Sequence, residues 1–198
     1  MPTKALFAES SPWHTDVEPT APDAEKAREL LEAAKADGYD GTIRYSHAAD
    51  ASSQAGAVAI KAMLEAVGFD VVLDPIRSIA DQVQKVYVDH DYDLAVAATT
   101  IPDEDPYSRL AGALGSQSPS NPTGYANPEM DALLAQLQAA GSPEAGAETM
   151  SAIAELWHED VPGVAISAGG TFQPWNDGVH GISPTTETMF LYDKAWKE

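Results

Sequence analysis

The chain has 198 residues, 44% hydrophobic and 21% charged, enough for one sizeable domain, or one and a half, with a real core and inconsistent with wholesale disorder. Its 31 acidic against 11 basic side chains give a formal net charge of −20, which excludes attraction to nucleic acid or to an anionic membrane and otherwise reads as solubility. Cysteine is absent, so thiol nucleophiles, zinc fingers and iron–sulfur clusters are excluded as well.

Residues 1–22 carry Pro2, Pro12, Pro19 and Pro22 with little periodicity and read as an extended lead-in. Their start, "MPTKALFAESSPWHTD", lacks the basic-then-apolar order of a signal peptide. A helix is predicted from Asp23 to Asp37, with Ala27, Leu30, Leu31 and Ala34 on its inner face and Gly38 just past its end. "TIRYSHAA" then alternates as a strand, Ile43 and Tyr45 sharing one side. Ser52 or Ser53 is positioned to cap the next helix, whose face of Ala59, Ile60, Met63, Leu64 and Val67 ends at Gly68. "FDVVLDPI" reads as a strand, followed by a helix over 78–89. "YDLAVAAT" is a continuous apolar run, as expected of a strand covered on both faces. This order implies parallel pairing through crossover helices.

The second half is more helical. Asp105–Pro106, Asn127–Pro128 and Ser142–Pro143 each pair a capping side chain with a proline whose fixed φ suits a first turn. Behind the second of these, Met130, Leu133, Leu134 and Leu137 form a stripe; behind the third, Met150, Ile153, Ala154 and Trp157 do. After Pro162, "GVAIS" reads as a further strand, followed by the turn-rich "AGGTFQPWNDG" and a closing apolar "MFLY". No run approaches the roughly 20 apolar residues of a membrane-spanning helix. The fold class read from the residues alone is α/β, a mainly parallel sheet flanked by helices, with a helical second half.

Three stretches, taken in order, resemble one family: "DAEKARELLEAAKADGYDG", "YDLAVAATTIPDEDPYSRLAGAL" and "NPTGYANPEMDALLAQL", with "LWHEDVPGVAIS" following. They are similar to the family 5 extracellular solute-binding proteins, the peptide- and nickel-type receptors of ABC importers. The resemblance implies a periplasmic-binding-protein-like, type II fold and identifies the chain as a carboxy-terminal lobe. It implies residues 23–176 as the ligand-binding lobe and 177–198 as a segment returning towards the first lobe. A small-molecule or peptide ligand, a missing amino-terminal lobe and an ABC permease are the implied partners. The intact protein would be extracytoplasmic, its signal sequence lying outside this chain. An exposed interlobe face would favour self-association. The competing expectation is a stand-alone interaction module that uses that same face to bind another protein.

Ligands of open α/β sheets settle beyond the carboxyl ends of the strands, here Ser46–His47, Pro75–Ile76 and Thr99–Thr100. The resemblance places ligand contacts in the loop "TTIPDEDP". Thr99 stands where an aromatic residue is usual, and Pro102 where an aspartate would meet a peptide amino group. Asp103, one position on, is its candidate replacement. Thr99, Thr100, Asp103, Ser167 and His47 are therefore the candidate ligand-binding residues. Asp105 reads as a helix cap. His158 and Glu159 point apart on a helix, so "WHED" is not a metal site. No cofactor or metal is implied. Nucleophile-elbow, phosphate-loop, dinucleotide and His-Glu-x-x-His motifs are missing from the sequence, so no enzyme is expected.

Overall fold

The computed structural model describes residues 5–97, 99–166, 174–185 and 189–198. Contacts divide the chain into two compact units: 20–98 with 119–124, and 1–19 with 99–118 and 125–198.

In the first, the sheet unit, helix α1 (Ala24–Ala36) starts where the Asp23 carboxylate accepts the amides of Glu25 and Lys26. It buries Leu31 and turns Leu30 outward. Strand β1 (Thr42–Ala48) pairs in parallel with β2 (Asp70–Ile76) over its whole length and with β3 (Leu94–Ala95), giving the order β2-β1-β3. Ile43, Tyr45, Val71 and Leu73 meet Ala57, Ile60 and Leu64 of helix α2 (Ala51–Glu65) on one face of this sheet. Two expectations for α2 change. Its cap is Asp50, whose carboxylate accepts from the Ser52 and Ser53 amides, because only the residue ahead of both can reach the second and third donors. Its inner face is rotated: Ala59 is exposed and Met63 is 72% exposed, since Ala57, Ile60 and Leu64 form the helical stripe that reaches the sheet.

Helix α3 (Ile79–Gln82), capped by Ser78, widens into π-helical turns over Val83–Val88. Strand β3 is shorter and barer than its apolar run suggests, with Leu94 38% exposed and Ala97 exposed. The Val96 amide still donates to the Ser46 carbonyl. In a parallel ladder the Val96 carbonyl would next accept from Ala48. It accepts the Gln82 side-chain amide at 3.2 Å, and among the described residues pairing ends there. The Pro122 carbonyl of segment 119–124 takes the Tyr92 hydroxyl and lies 3.0 Å from His90 Nδ1.

The second, helical unit holds α4 (Pro106–Leu114), α5 (Pro128–Ala139) and α6 (Pro143–Asp160), capped by Asp105, Asn127 and Ser142 with proline at each first turn. Its core joins Phe7 of the lead-in to Leu110, Leu114, Met130, Leu134, Leu137, Met150, Ile153 and Leu156. Each such large apolar side chain contributes roughly 1.5–3 kcal/mol when fully buried. Trp157 is half-buried at the edge of this core, and Leu156, absent from the expected stripe, is inside it. The strand expected after Pro162 is not formed over 163–166. Val164 and Ile166 are 74% and 56% exposed and pair with no strand among the described residues, and an isolated strand is not stable in water. The chain closes with two antiparallel ladders, β4 (Val179–His180) with β7 (Trp196–Lys197) and β5 (Ser183–Pro184) with β6 (Phe190–Leu191). Gly181 is required there: its φ is 74°, and a Cβ would stand 2.1 Å from the Lys194 carbonyl oxygen.

Candidate functional site

The loop after β3 is stapled at both ends. Ile101 packs on the core of the helical unit, and Pro106 is buried as the first residue of α4. Asp105 accepts from the Ser108 hydroxyl and amide, which hold its carboxyl below the usual range. Thr99 and Thr100, just ahead of Ile101, and Asp103, between the two anchors, are exposed. They present two hydroxyls and a carboxylate at the surface, the chemistry of hydrogen-bonded capture. Asp103 already has local partners: its Oδ1 accepts from Ser11 Oγ at 2.6 Å and its carbonyl from Trp13 Nε1 at 2.7 Å. The lead-in is tied to this loop through those two bonds, and the Trp13 ring lies against Gly146 of α6.

His47, at the end of β1, belongs to the sheet unit. It is 2% exposed, with Nδ1 2.8 Å from the Ala48 carbonyl and its ring centroid 5.9 Å from that of Tyr45. Ser167 lies outside the described residues. Thr99, Thr100 and Asp103 thus share one loop of the helical unit, while His47 is a buried residue of the other unit.

Sequence reasoning missed a charged network on the sheet face opposite α2. Fully buried Ser46 donates to Asp74 Oδ2 at 2.8 Å, and Lys85 Nζ lies 2.8 Å from the same oxygen. Lys85 also meets Asp91 at 3.2 Å, and Asp91 meets Arg44 at 2.8 Å. The signal was in the strand period: Arg44 and Ser46 alternate with Ile43 and Tyr45, and Asp74 is the register partner of Ser46.

The densest turn motif, residues 121–131, proves architectural. Asn121 Oδ1 accepts the Thr123 amide, and Gly124 takes the φ of 67° that carries the chain into α5. Asn127 Oδ1 caps that helix at Glu129, while its Nδ2 donates to Asp160 Oδ2 at 2.7 Å. The Tyr125 hydroxyl donates to the same oxygen at 2.5 Å. Burial, then this carboxylate, pushes the Tyr125 phenol well above its ordinary range. The two donors in turn hold the Asp160 carboxyl below its own. Asp131 accepts the Ser116 amide at 2.9 Å. Asn121 shapes the turn, and Tyr125, Asn127 and Asp131 are occupied in joining helix ends. Among the described residues no group of three or more acidic or histidine side chains is placed to hold a metal ion, and no helix is long and apolar enough to cross a membrane.

Comparison with known proteins gives one family match: the model described as bacterial extracellular solute-binding proteins, family 5 Middle, fits residues 1–121, more than half of the chain. No curated protein sequence matches. Among solved structures, the dipeptide binding protein from Pseudoalteromonas sp. SM9913, in complex with Met-Leu, superposes with a TM-score of 0.78 at 19% identity, over 100% of this chain and 40% of that one. The Haemophilus influenzae OppA complex with RPPGFSPFR gives 0.69 at 22%, over 84% of this chain and 34% of that one. The Escherichia coli murein tripeptide binding protein MppA gives 0.67 at 20%, over 83% and 33%. The chain therefore spans about a third to two fifths of the length of these proteins. At such identities the likeness establishes the fold, the mixed α/β fold of the periplasmic binding proteins, built here on a parallel sheet.

Proposed function

The chain belongs to the family 5 bacterial extracellular solute-binding proteins, and on that premise we propose that it is the carboxy-terminal lobe of an ABC-importer receptor that captures a small solute, a peptide or a similar molecule, between two lobes. The observation that carries this is the pairing of the family match with complete coverage of the chain on 40% of a dipeptide binding protein. In this reading residues 23–176 are the ligand-binding lobe. Thr99, Thr100 and Asp103 contact the ligand from the loop after β3. Closure of the lobes excludes water and strengthens those polar contacts. The closed receptor then presents its surface to a membrane permease on the extracytoplasmic side. The chemistry is binding, with no catalytic step.

Residues 177–198 are read as returning towards the other lobe. Supporting that, Met189, Leu191, Tyr192 and Trp196 are each more than half exposed, a density of large apolar side chains that marks surfaces built to be covered.

Calorimetry tests the reading. An intact receptor titrated with dipeptides and oligopeptides is expected to bind at least one class, with Asp103→Asn and Thr100→Ala weakening it. This chain alone, with half the contacts and no closure, is expected to bind none of them with submicromolar affinity. Tight binding by the chain alone, or an intact receptor indifferent to every peptide, would overturn it.

A further inference from the structure

Among the apolar side chains of the π-helical turns over Val83–Val88, Val86 is fully buried and Tyr87 half-buried. Val86 is 1% exposed, but Val83 and Val88 are 46% and 59% exposed, and Ile79 just ahead is 80% exposed. One fully buried valine and one half-buried tyrosine are modest anchorage for a helical form with a widened, rarely adopted hydrogen-bond pattern. The segment nevertheless sets a piece of surface. Ile79, Gln82, Val83 and Tyr87 wall an open groove whose other side is Val96 and Ala97.

What faces the sheet beside Val86 is Lys85. Its side chain is 23% exposed, low for a lysine, and its ammonium reaches two carboxylates, Asp74 Oδ2 at 2.8 Å and Asp91 Oδ2 at 3.2 Å. These come from different directions: Asp74 from β2, and Asp91 from the segment that leaves the π-helical turns for β3. Both carboxylates are themselves fixed. Asp74 accepts from buried Ser46 of β1, and Asp91 Oδ1 pairs with Arg44 of β1 at 2.8 Å. The next carboxylate along, Asp93, accepts the Arg44 amide at 2.7 Å. The lysine therefore closes a ring that runs from sheet to helical turn to connecting segment and back to the sheet. We propose that Lys85 is an electrostatic latch that positions the π-helical turns on the sheet, and with them the wall of the groove.

The titratable groups around the latch are few. From the sheet come Arg44 and Asp74, and from the connecting segment Asp91 and Asp93. Asp81 is bonded to Ser78, Asp89 to Gln84, and His90 meets the Pro122 carbonyl, so each is engaged elsewhere. The Lys85 and Ser46 bonds hold Asp74 below the ordinary carboxylate range, Arg44 and Lys85 do the same for Asp91, and Asp74 raises Lys85. The carboxylate contribution is present above the unfolded carboxyl value and lost as pH falls through the folded one. That of the lysine is present below its unfolded value and lost as pH rises through the folded one. The latch is closed across the whole range between, so substitution or salt opens it where neutral pH does not.

Hydrogen exchange on the full chain, residue-resolved by fragment mass spectrometry, is the test. In Lys85→Met, amides of residues 83–91 are expected to exchange about tenfold faster while those of β1 keep their protection. Lys85→Arg restores the native profile. Asp91→Asn, which removes only the outer partner, gives a smaller increase in the same segment and covers the case of a Lys85→Met protein that does not fold. Raised salt accelerates exchange in the native segment. Unchanged exchange at 83–91 in both Lys85→Met and Asp91→Asn would overturn the proposal. So would an increase spread equally over β1, β2 and α2, because the ring would then hold the whole unit and not the turn.

Discussion

In the helical unit Met130, Met150 and Ile153 are fully buried among Phe7, Leu110 and Leu134, whereas in the sheet unit the buried apolar cluster narrows to Tyr45, Ala57 and Val71. The sheet unit covers one face of its strands with α2 and lays charge across the other, where a doubly covered parallel sheet would carry valine and isoleucine. The difference concerns what each unit can lose. A packed core responds to missing volume, while a face organised by ion pairs responds to missing charge. The substitution expected to matter most is therefore in the helical unit. Met150→Ala should lower its stability by about 2–5 kcal/mol, measured by urea unfolding. A loss under 1 kcal/mol would mean that α6 does not lean on this core.

Val71→Ala makes the matching cut in the sheet unit. Two methyl groups fewer at roughly 0.8 kcal/mol each give an expected loss of about 1.6 kcal/mol. Equal effects from the two variants would erase the contrast between the units.

Those same differences decide how much of the molecule was legible in the sequence. The three helices of the helical unit were read nearly complete, because Asp105, Asn127 and Ser142 each cap a helix with proline behind. Leu156 escaped because it sits one position from Trp157, which the eye takes as the core residue. In the sheet unit the three strands and their parallel direction were read correctly, but extent was not. An apolar run says that a strand wants covering, and says nothing of a glutamine fourteen residues earlier whose amide takes the next rung of the ladder at Val96. The same holds for 163–166, where composition favours a strand and the described residues supply no neighbour. Of the candidate loop, topology pointed to the strand end at Thr99 and Thr100, while Asp103 came from the family resemblance; all three are exposed. The bonds from Ser11 and Trp13 to Asp103 were not legible, since they join positions about ninety residues apart with no periodic signal. The Ser46–Asp74–Lys85 ring was hidden for a related reason: each charge looks like an ordinary solvated side chain until register puts them together.

A third substitution probes backbone strain in the helical unit. Val161, immediately after α6, has φ 49° and ψ 52°, a left-handed conformation that a β-branched residue adopts only under constraint. Val161→Gly should remove that strain and raise stability by about 1 kcal/mol, a gain partly offset by the greater freedom of glycine in the unfolded chain. Destabilisation would show that the Val161 side chain contributes packing that outweighs its backbone cost.

The smallest expected effect on stability carries the sharpest readout. Asp160 ends α6 immediately before that strained residue and is the shared acceptor for Tyr125 and Asn127. Its depressed carboxyl contributes stability above the unfolded carboxyl value, lost as pH falls through the folded one. The raised Tyr125 phenol contributes below its ordinary value near 10 and loses that contribution only as pH rises through its folded value. The joint is therefore complete across neutral pH, and its signature is spectroscopic. In Asp160→Asn the acceptor oxygen remains but its charge is gone, so Tyr125 should ionise at lower pH than in the native protein, followed by the ultraviolet absorbance of phenolate. Burial is the larger cause of the shift and persists, so the value should stay above that of a free tyrosine. A fall all the way to the free value would mean that the carboxylate, and not burial, governs the phenol. No change at all would mean that the Asp160 charge is screened by solvent, leaving Asn127 and the geometry of the chain to hold the end of α6 in place.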